Sequence, residues 1–359
     1  MTLETLAPAS LDELSNVIRS AKGPLAVCGN RTRTQFGQAA IHLSSRNLSG
    51  ILRYEPSALT LVAQAGTPMA EIESALTERH QMLAFEPPDH RALTGQMGSP
   101  TLGGAIGLNA SGPRRFMAGG ARDFVIGAKL VDGRGDLIAS GGRVMKNVTG
   151  YDLARLFCGA RGRLGIMTEV ALKVLPKPEA TATLVFIEED PGEAIRRMAI
   201  ALRSPFEVSG AAWSQGRAYL RVEGFAPSVR YRNGEIQRIL PGTTQIDEDP
   251  WPALRDATDL AAQPGPLWRI VLRPMQASVL ATRLARGGAL LTVDWGGGLL
   301  WVAPPPDMDI IAATHELDGH ASCLRGAPTV TSRRDDPAQR LGTEICRAFD
   351  PRSLFQCVD

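Results

Sequence analysis

The sequence has little of what marks a protein that binds nucleic acid. Its 39 Lys and Arg residues nearly balance 37 Asp and Glu residues, and the net charge of +2 is too small to attract a nucleic acid by itself. Aromatic residues make up only 5% of the chain, too few to form a base-stacking surface among scattered basic residues. Nucleic acid is therefore not expected as a partner.

Cysteines are few and far apart, and long apolar runs are missing. The cysteines are Cys28, Cys158, Cys323, Cys346 and Cys357, and none forms a Cys-x-x-Cys pair, so zinc and iron–sulfur ligands are not expected. Scattered single cysteines are typical of a reducing cytoplasm. No apolar run approaches the ~20 residues that cross a bilayer, and no signal-peptide pattern begins the chain. We expect a cytoplasmic protein that reaches the inner face of a membrane only through a partner.

The length of the chain and a proline-rich break within it predict two domains and a C-terminal segment. A chain of 359 residues is long for a single core. Pro176-Lys177-Pro178 is a stiff segment that cannot continue the preceding strand, so it is the best candidate for a linker between two domains. Strands and helices alternate on both sides of this break, and no internal repeat is visible. We predict an α+β fold with a first domain over 1–178, an α+β second domain over 179–333, and a helix and tail over 334–359.

A polar turn follows the first buried strand. It reads Gly29-Asn30-Arg31-Thr32-Arg33-Thr34, and it offers backbone N–H donors and positive charge to a phosphate. It is not a Walker loop, because no Gly-Lys-Ser/Thr follows at the required spacing. Taken alone, the turn is more typical of an ordinary surface turn.

A long segment from Pro87 to Gly120 is rich in glycine and proline and shows no lasting apolar period. Its adjacent glycines Gly103 and Gly104 would let backbone amides approach a pyrophosphate that a Cβ would push away. The Rossmann spacing is absent. Buried-type residues in the segment favour an ordered binding loop over an idle connection.

A third glycine-rich region comprises Lys146–Leu153 and Gly159–Ile166. Its glycines stand where a strand begins, beside a short helix that Asp152 can cap. Helix capping and turn formation alone explain most of this pattern.

Together the three regions resemble, in type and order, the FAD-binding loops of the flavoprotein family named after vanillyl-alcohol oxidase. More narrowly, Gln81–Pro88, Ser111–Arg115, Arg122–Gly127 and Val144–Asp152 resemble the FAD-binding subunits of bacterial glycolate oxidase complexes. Later segments that also resemble these subunits are Leu267–Ile270, Asp294–Gly297 and Gly319–Ala321. The resemblance implies a PCMH-type two-part FAD-binding domain followed by a smaller, ferredoxin-like α+β cap domain.

Carried over by position, the resemblance implies which residues hold FAD. The phosphate loop falls on Gly29, Asn30, Arg31, Thr32, Arg33 and Thr34. The second pyrophosphate segment falls on Pro88, Gly103, Gly104, Asn109, Ser111 and Gly112. The adenine-side contacts fall on Gly162, Gly165 and Ile166. Because no histidine stands in the first loop, where covalently flavinylated relatives carry one, FAD is expected to be bound non-covalently.

The resemblance also implies a reaction and partners. The chain would take part in oxidising glycolate, or a related 2-hydroxy acid, by hydride transfer to the flavin and electron relay. Its partners would be a sister FAD-binding catalytic subunit and an iron–sulfur subunit. Active relatives carry a histidine-rich metal and base motif where this chain has Asp294 to Gly298, so no metal site is predicted.

The catalytic residues are not identified by the sequence, and two other functions stay open. Weak candidates are Arg114, Arg115, Arg269 and His320. In one alternative the chain is a self-sufficient flavin oxidase in which one of these arginines binds the substrate carboxylate. In the other it is a scaffold with a decayed FAD site, which only two departures from the family support: Arg31 replaces a small residue, and the C-terminal Asn-Pro-Gly-Arg run is missing.

Overall fold

The computed structural model describes residues 4–33, 41–142, 151–326 and 337–356 and builds them around four β-sheets. The strands are β1 (Glu4–Leu6), β2 (Leu25–Cys28), β3 (Ile41–Ser44), β4 (Ile51–Glu55), β5 (Thr60–Gln64), β6 (Gln81–Met82), β7 (Val125–Val131), β8 (Leu137–Gly141), β9 (Ile166–Lys173), β10 (Leu175–Pro176), β11 (Ala180–Ile187), β12 (Val208–Ser214), β13 (Arg217–Gly224), β14 (Thr244–Ile246), β15 (Leu267–Val271), β16 (Leu290–Asp294), β17 (Leu299–Ala303), β18 (His320–Arg325) and β19 (Phe355–Gln356).

The helices alternate with these strands. They are α1 (Leu11–Ser20), α2 (Met69–Thr77), α3 (Arg91–Thr94), α4 (Leu102–Gly107), α5 (Arg115–Ala118), α6 (Ala121–Phe124), α7 (Leu153–Phe157), α8 (Pro191–Leu202), α9 (Ala226–Ile239), α10 (Trp251–Asp256), α11 (Pro274–Arg286), α12 (Ile310–His315) and α13 (Pro337–Phe349), with single 3-10 turns at Pro56–Ala58, Thr258–Leu260 and Trp295–Gly297.

Two sheets form the first part of the molecule. One is parallel, in the order β1-β3-β2-β19, and the other is antiparallel, in the order β4-β5-β9-β7-β8. Leu14 and Ile18 of α1 pack on the parallel sheet, and Val131 and Ile166 of the antiparallel sheet join the same buried cluster. Apolar residues of the two sheets thus share a core, and the predicted two-part domain is confirmed.

The C-terminal tail returns to the parallel sheet. Strand β19 pairs with β2, and the backbone N–H of Leu25 donates to the carbonyl of Leu354 at 2.7 Å. The Arg352 guanidinium donates to carbonyls at the end of α1, including Ile18 at 3.1 Å, which satisfies groups that a helix leaves unpaired. The tail, which departs from the family pattern, therefore supports the strand that leads into the first loop.

The second part is an eight-stranded antiparallel sheet in the order β14-β11-β13-β12-β16-β17-β15-β18. Each half follows the β-α-β-β-α-β path of a ferredoxin-like unit, so the predicted cap fold holds two such units. The halves meet where Trp213 pairs with Val293 and Ser214 with Thr292, and the Asp259 carboxylate accepts from both hydroxyls of this seam. The two halves share their topology but not their sequence, so no internal repeat is visible in the sequence.

The segment from Pro87 to Gly120 is ordered, as expected, but the expectation that it lacks regular structure was wrong. It contains α3, α4 and α5. In α4 the buried residues Leu102, Ala105 and Ile106 follow a helical spacing, and the Thr101 hydroxyl caps the helix. Three glycines among six residues hid this period in the sequence.

None of the described helices combines the length and the apolar character needed to cross a membrane. Cysteines 28, 158, 323 and 346 are all free thiols.

Candidate functional site

A cleft of about 850 Å³, measured with its open mouth, lies between the two sheets of the first part. The loop after β2, helix α4 and the turn before β9 line it. The structure brings together these predicted residues: Gly29, Asn30, Arg31, Thr32, Arg33, Gly103, Gly104, Gly162, Gly165 and Ile166. Thr34 and the Lys146–Gly150 part of the third region lie outside the described residues.

One end of the cleft is apolar. Val27, Leu130, Phe157, Ile166 and Met167 line it, so it suits a flat heteroaromatic group such as adenine. None of these except Ile166 was predicted, because their spacing along the chain gives no local signal.

The glycines at this end are required by their backbone. Gly162 has φ +78°, and a Cβ there would stand 2.7 Å from the Cβ of Val27. Gly165 has φ +147°, and its Cβ would stand 2.4 Å from the carbonyl oxygen of Val131. Only glycine fits both positions without a shift of the neighbouring chain.

The other end of the cleft is cationic. Arg31 and Arg33 of the loop after β2 line the cleft here, Arg161 lines it beside Gly162, and the described lining residues include no carboxylate. Within the part of the chain that the structure describes, no group accepts from the backbone N–H of Asn30, Arg31 or Thr32. Guanidinium groups and available N–H donors together favour a phosphate.

Arg33 is the buried member of this end, with only 4% of its surface exposed. Its Nη1 donates to the carbonyl of Pro88, and its Nε has no hydrogen-bond partner among the described residues. Burial lowers the pKa of Arg33 to about 10, so the group still carries its charge at neutral pH. A buried charge with an unused donor fits an anionic ligand.

Arg31, the departure from the family's small residue, has left-handed backbone with φ +56°. Its Nη1 lies 3.1 Å from Nδ1 of His42 on β3. The guanidinium is thus held against the neighbouring strand, so an arginine is accommodated at this position.

Gly103 and Gly104 do not offer their amides to a ligand, contrary to the sequence-based expectation. The N–H of Gly103 donates to the Ala65 carbonyl at 2.7 Å, and that of Gly104 to the Thr101 hydroxyl at 3.2 Å. A Cβ on Gly104 would approach Thr101 Oγ1 to 3.2 Å and Arg33 Cδ to 3.9 Å. The missing side chain at Gly104, rather than its N–H, leaves room beside Arg33.

Four predicted cofactor-binding residues do not line the cleft. Pro88 acts through its carbonyl on Arg33. The Asn109 side chain accepts from the N–H of Arg122 at 3.0 Å, the Ser111 hydroxyl from that of Ala121 at 2.9 Å, and the Gly112 carbonyl from the Trp295 indole at 2.9 Å. Helix α4 ends at Gly107, and the chain leaves the cleft after it. Assigning cofactor contacts by position in the family pattern does not detect this change of direction.

Two candidate arginines, Arg115 and Arg269, meet on the indole of Trp295. Their Cζ atoms lie 4.7 and 5.3 Å from its centroid, in the range of cation–π contacts. Neither forms an ion pair with a carboxylate among the described residues, and Arg115 donates to the Ser111 hydroxyl at 3.1 Å. Burial, and then the charges of Arg115 and Arg161, lower the pKa of Arg269 to about 10. This cluster can attract an anion.

His320 begins β18 at the edge of this cluster, with its side chain exposed. Burial of part of the ring, and then the charges of Arg161 and Arg269, lower the pKa of His320. A neutral imidazole at physiological pH can accept a proton, so its catalytic role stays a prediction.

Arg114, the fourth candidate, is engaged elsewhere. It pairs with Glu86 and Glu223, and Arg221 pairs with the same two carboxylates, so the four side chains form a closed ring of alternating charge. Although burial opposes it, the Arg114 hydrogen bond and the Arg221 charge hold the pKa of Glu223 below its usual range. Arg114 is therefore not available to a substrate carboxylate, and the ring joins the two parts of the molecule.

The turn that replaces the family's histidine-rich motif presents an indole. Asp294 is 1% exposed and accepts from the N–H of Trp295 at 2.7 Å, and burial raises the pKa of Asp294 to about 7. Among the described residues no group of three His, Cys, Asp or Glu side chains could hold a metal ion.

Comparison with known proteins agrees with this geometry. The family described as FAD binding domain matches residues 4–141, and a solved alkyldihydroxyacetonephosphate synthase shares the fold with a TM-score of 0.69 at 12% identity, covering 98% of this chain and 75% of that chain. Fold and cleft are those of a flavoprotein with a PCMH-type FAD-binding domain, and FAD is its cofactor.

The sequence comparison is narrower. Glycolate oxidase subunit GlcE of Escherichia coli (strain K12) is 33% identical over 351 residues, which is 97% of this chain and 95% of that protein. Glycolate oxidase subunit GlcD of Bacillus subtilis (strain 168) is 34% identical over 192 residues, which is 52% of this chain and 39% of that protein. The chain belongs to the same family of FAD-dependent oxidoreductases as glycolate oxidase subunit GlcE.

Proposed function

We propose that this chain is the FAD-binding subunit of a multi-subunit oxidase or dehydrogenase of glycolate or a related 2-hydroxy acid. A sister FAD-binding catalytic subunit and an iron–sulfur subunit would complete the complex, in the cytoplasm or at the inner face of its membrane. The cleft between the two sheets carries the proposal, because one end suits adenine and the other a diphosphate. Similarity to a glycolate oxidase subunit over 97% of the chain supports the substrate class.

Each end of the cleft has a defined task. Arg33 and the N–H groups of Asn30 and Thr32 would hold the diphosphate, and the backbone at Gly162 and Gly165 would pack against the adenine. When bound, FAD supplies hydride and electron transfer. The sequence contains no Cys-x-x-Cys pair, so in this proposal the electrons pass from the flavin to a redox centre on a partner.

The cluster on Trp295 favours a second candidate, a self-sufficient oxidase. Arg115 and Arg269 bring two positive charges together without a carboxylate partner among the described residues, which suits the carboxylate of a hydroxy acid. His320, held neutral, could take the hydroxyl proton.

One experiment separates the two candidates. We expect the isolated chain to show little glycolate-dependent dye reduction, because it lacks both the family's histidine-rich motif and an iron–sulfur site. Co-expression with a second flavoprotein and an iron–sulfur protein of the same type of complex should restore the activity and yield a co-purifying assembly. Turnover by the isolated chain near ~10 s⁻¹, a rate typical of enzymes, would establish the self-sufficient oxidase instead, and loss of that turnover in Arg269→Met would locate its site.

A further inference from the structure

The cap sheet has an incomplete edge at β11, the strand that follows the linker. Strand β11 pairs with β13 along all eight of its residues, but with β14 only over residues 183–185. Among the described strands no other one lies on the outer side of β11 or of β14. The outward backbone groups of residues 180–182 therefore have no strand partner in the part of the chain that the structure describes, and such an edge can pair with another chain.

A groove lies beside this edge, between the cap and the first part of the molecule. It consists of two cavities of about 790 and 920 Å³, measured with their open mouths, which share the lining residues Glu86, Arg114, Thr181 and Arg255. Its floor is the face of β11 that bears Thr181 and Thr183, because alternate residues of a strand face opposite sides and Leu184 and Phe186 pack in the cap core. A strand added at the edge would direct every second side chain toward this groove.

The charges that line the groove do not balance. The four residues of the closed ring neutralise one another, and Arg255 pairs with its neighbour Asp256. The other charged lining residues are exposed and form no ion pair among the described residues: they are the carboxylates of Glu73, Asp247, Glu248 and Asp249 and the ammonium group of Lys177. With four negative charges against one positive charge, the groove attracts a cationic partner.

We propose that the edge of β11 and this groove form a docking surface for an extended segment of a partner protein that is rich in lysine and arginine. The segment would add a strand beside residues 180–182, in line with β14, and would place its cationic side chains near residues 247–249. Backbone hydrogen bonds would supply the affinity, and the carboxylates would supply the preference for cations. The docking surface involves no cofactor contact, so it goes beyond the proposed function.

The test uses the full chain and a fluorescein-labelled peptide of four Lys-Val repeats, with binding measured by fluorescence anisotropy. A peptide of four Glu-Val repeats should bind at least about tenfold more weakly, because its charges have the same sign as the unpaired carboxylates. The Lys-Val peptide with methyl groups on alternate backbone nitrogens keeps its charge but loses several backbone donors. It should also bind at least about tenfold more weakly, as expected when two or more hydrogen bonds are lost.

A charge reversal in the groove locates the binding. Glu248→Lys should weaken binding of the Lys-Val peptide about fivefold, the effect of about 1 kcal/mol from a partly exposed charge pair. Asp307→Lys is the matched control, because Asp307 is an exposed carboxylate of the cap that does not line the groove. It should change the affinity less than twofold. Circular dichroism and flavin content of both variants, compared with the wild type, show whether they are folded.

Three results would overturn the docking surface. They are equal binding of the two peptides, undiminished binding of the methylated peptide, and equal binding of the Lys-Val peptide by wild type and Glu248→Lys. A wild type that sediments as a dimer while Glu248→Lys sediments as a monomer would also overturn it, because a second copy would then cover the groove. A chain with full flavin content that fails these tests leaves the proposed function intact, and a chain that passes them without binding FAD keeps the docking surface alone.

Discussion

Arg221→Met should lower the free energy of unfolding by about 3–5 kcal/mol, the cost of removing one partner from a buried ion pair. Arg221 is 3% exposed and donates to both oxygens of Glu86 at 2.9 Å, and its guanidinium stacks on Trp251 with 4.5 Å to the centroid. Methionine keeps much of the volume but leaves Glu86 buried with less positive charge around it. Urea unfolding followed by tryptophan fluorescence measures the loss.

Arg196→Met is the matched control. Arg196 pairs with Glu193 on the surface of α8, where both side chains are more than two-fifths exposed. Surface pairs of this kind contribute about 0–1 kcal/mol, so this variant should unfold almost like the wild type. If both variants lost stability equally, the ring of Glu86, Arg114, Arg221 and Glu223 would not join the two parts of the molecule as described.

Gly104→Val should abolish FAD binding and leave a folded protein. Position 104 lines the cationic end of the cleft, and its N–H is already bonded to Thr101. A Cβ fits at 3.2 Å from Thr101 Oγ1 with a small adjustment, but the two methyl groups of valine would occupy the space beside Arg33 that the diphosphate needs. Flavin content of the purified variant and its far-ultraviolet circular dichroism measure the two effects separately.

Gly234→Val controls for the same replacement inside a helix. Gly234 lies on the exposed face of α9, far along the chain from the cleft, and a Cβ there meets nothing within 4 Å. This variant should keep its full flavin content. Normal flavin content in Gly104→Val as well would show that the space beside Arg33 is not the diphosphate site.

Local signals explain what could be predicted from the sequence. The loop Gly29–Arg33 and the turn Gly162–Ile166 are marked by glycine and by arginine within a few residues, and the structure brings both into one cleft. A helix was predicted within residues 334–359, and the structure places it at Pro337–Phe349.

Long-range pairing explains what the sequence could not reveal. Arg114 looked like a candidate for a substrate carboxylate, but it meets Glu223, 109 residues away along the chain. The contact of His90 with Trp301 likewise depends on how the cap sheet packs against the segment of residues 88–95. Such contacts depend on tertiary structure, and the spacing of residues within a single segment cannot predict them.

The central claim is that this chain holds FAD non-covalently in the cleft between its two sheets. The most direct measurement is the visible spectrum of the purified chain, followed by acid precipitation and analysis of the flavin in the supernatant. We expect a flavin spectrum with about one FAD per chain, a simple one-site stoichiometry, and release of all of it as free FAD, since no histidine occupies positions 29–33. A chain purified without flavin that binds none on addition of FAD, or flavin that stays with the precipitated chain, would contradict this account.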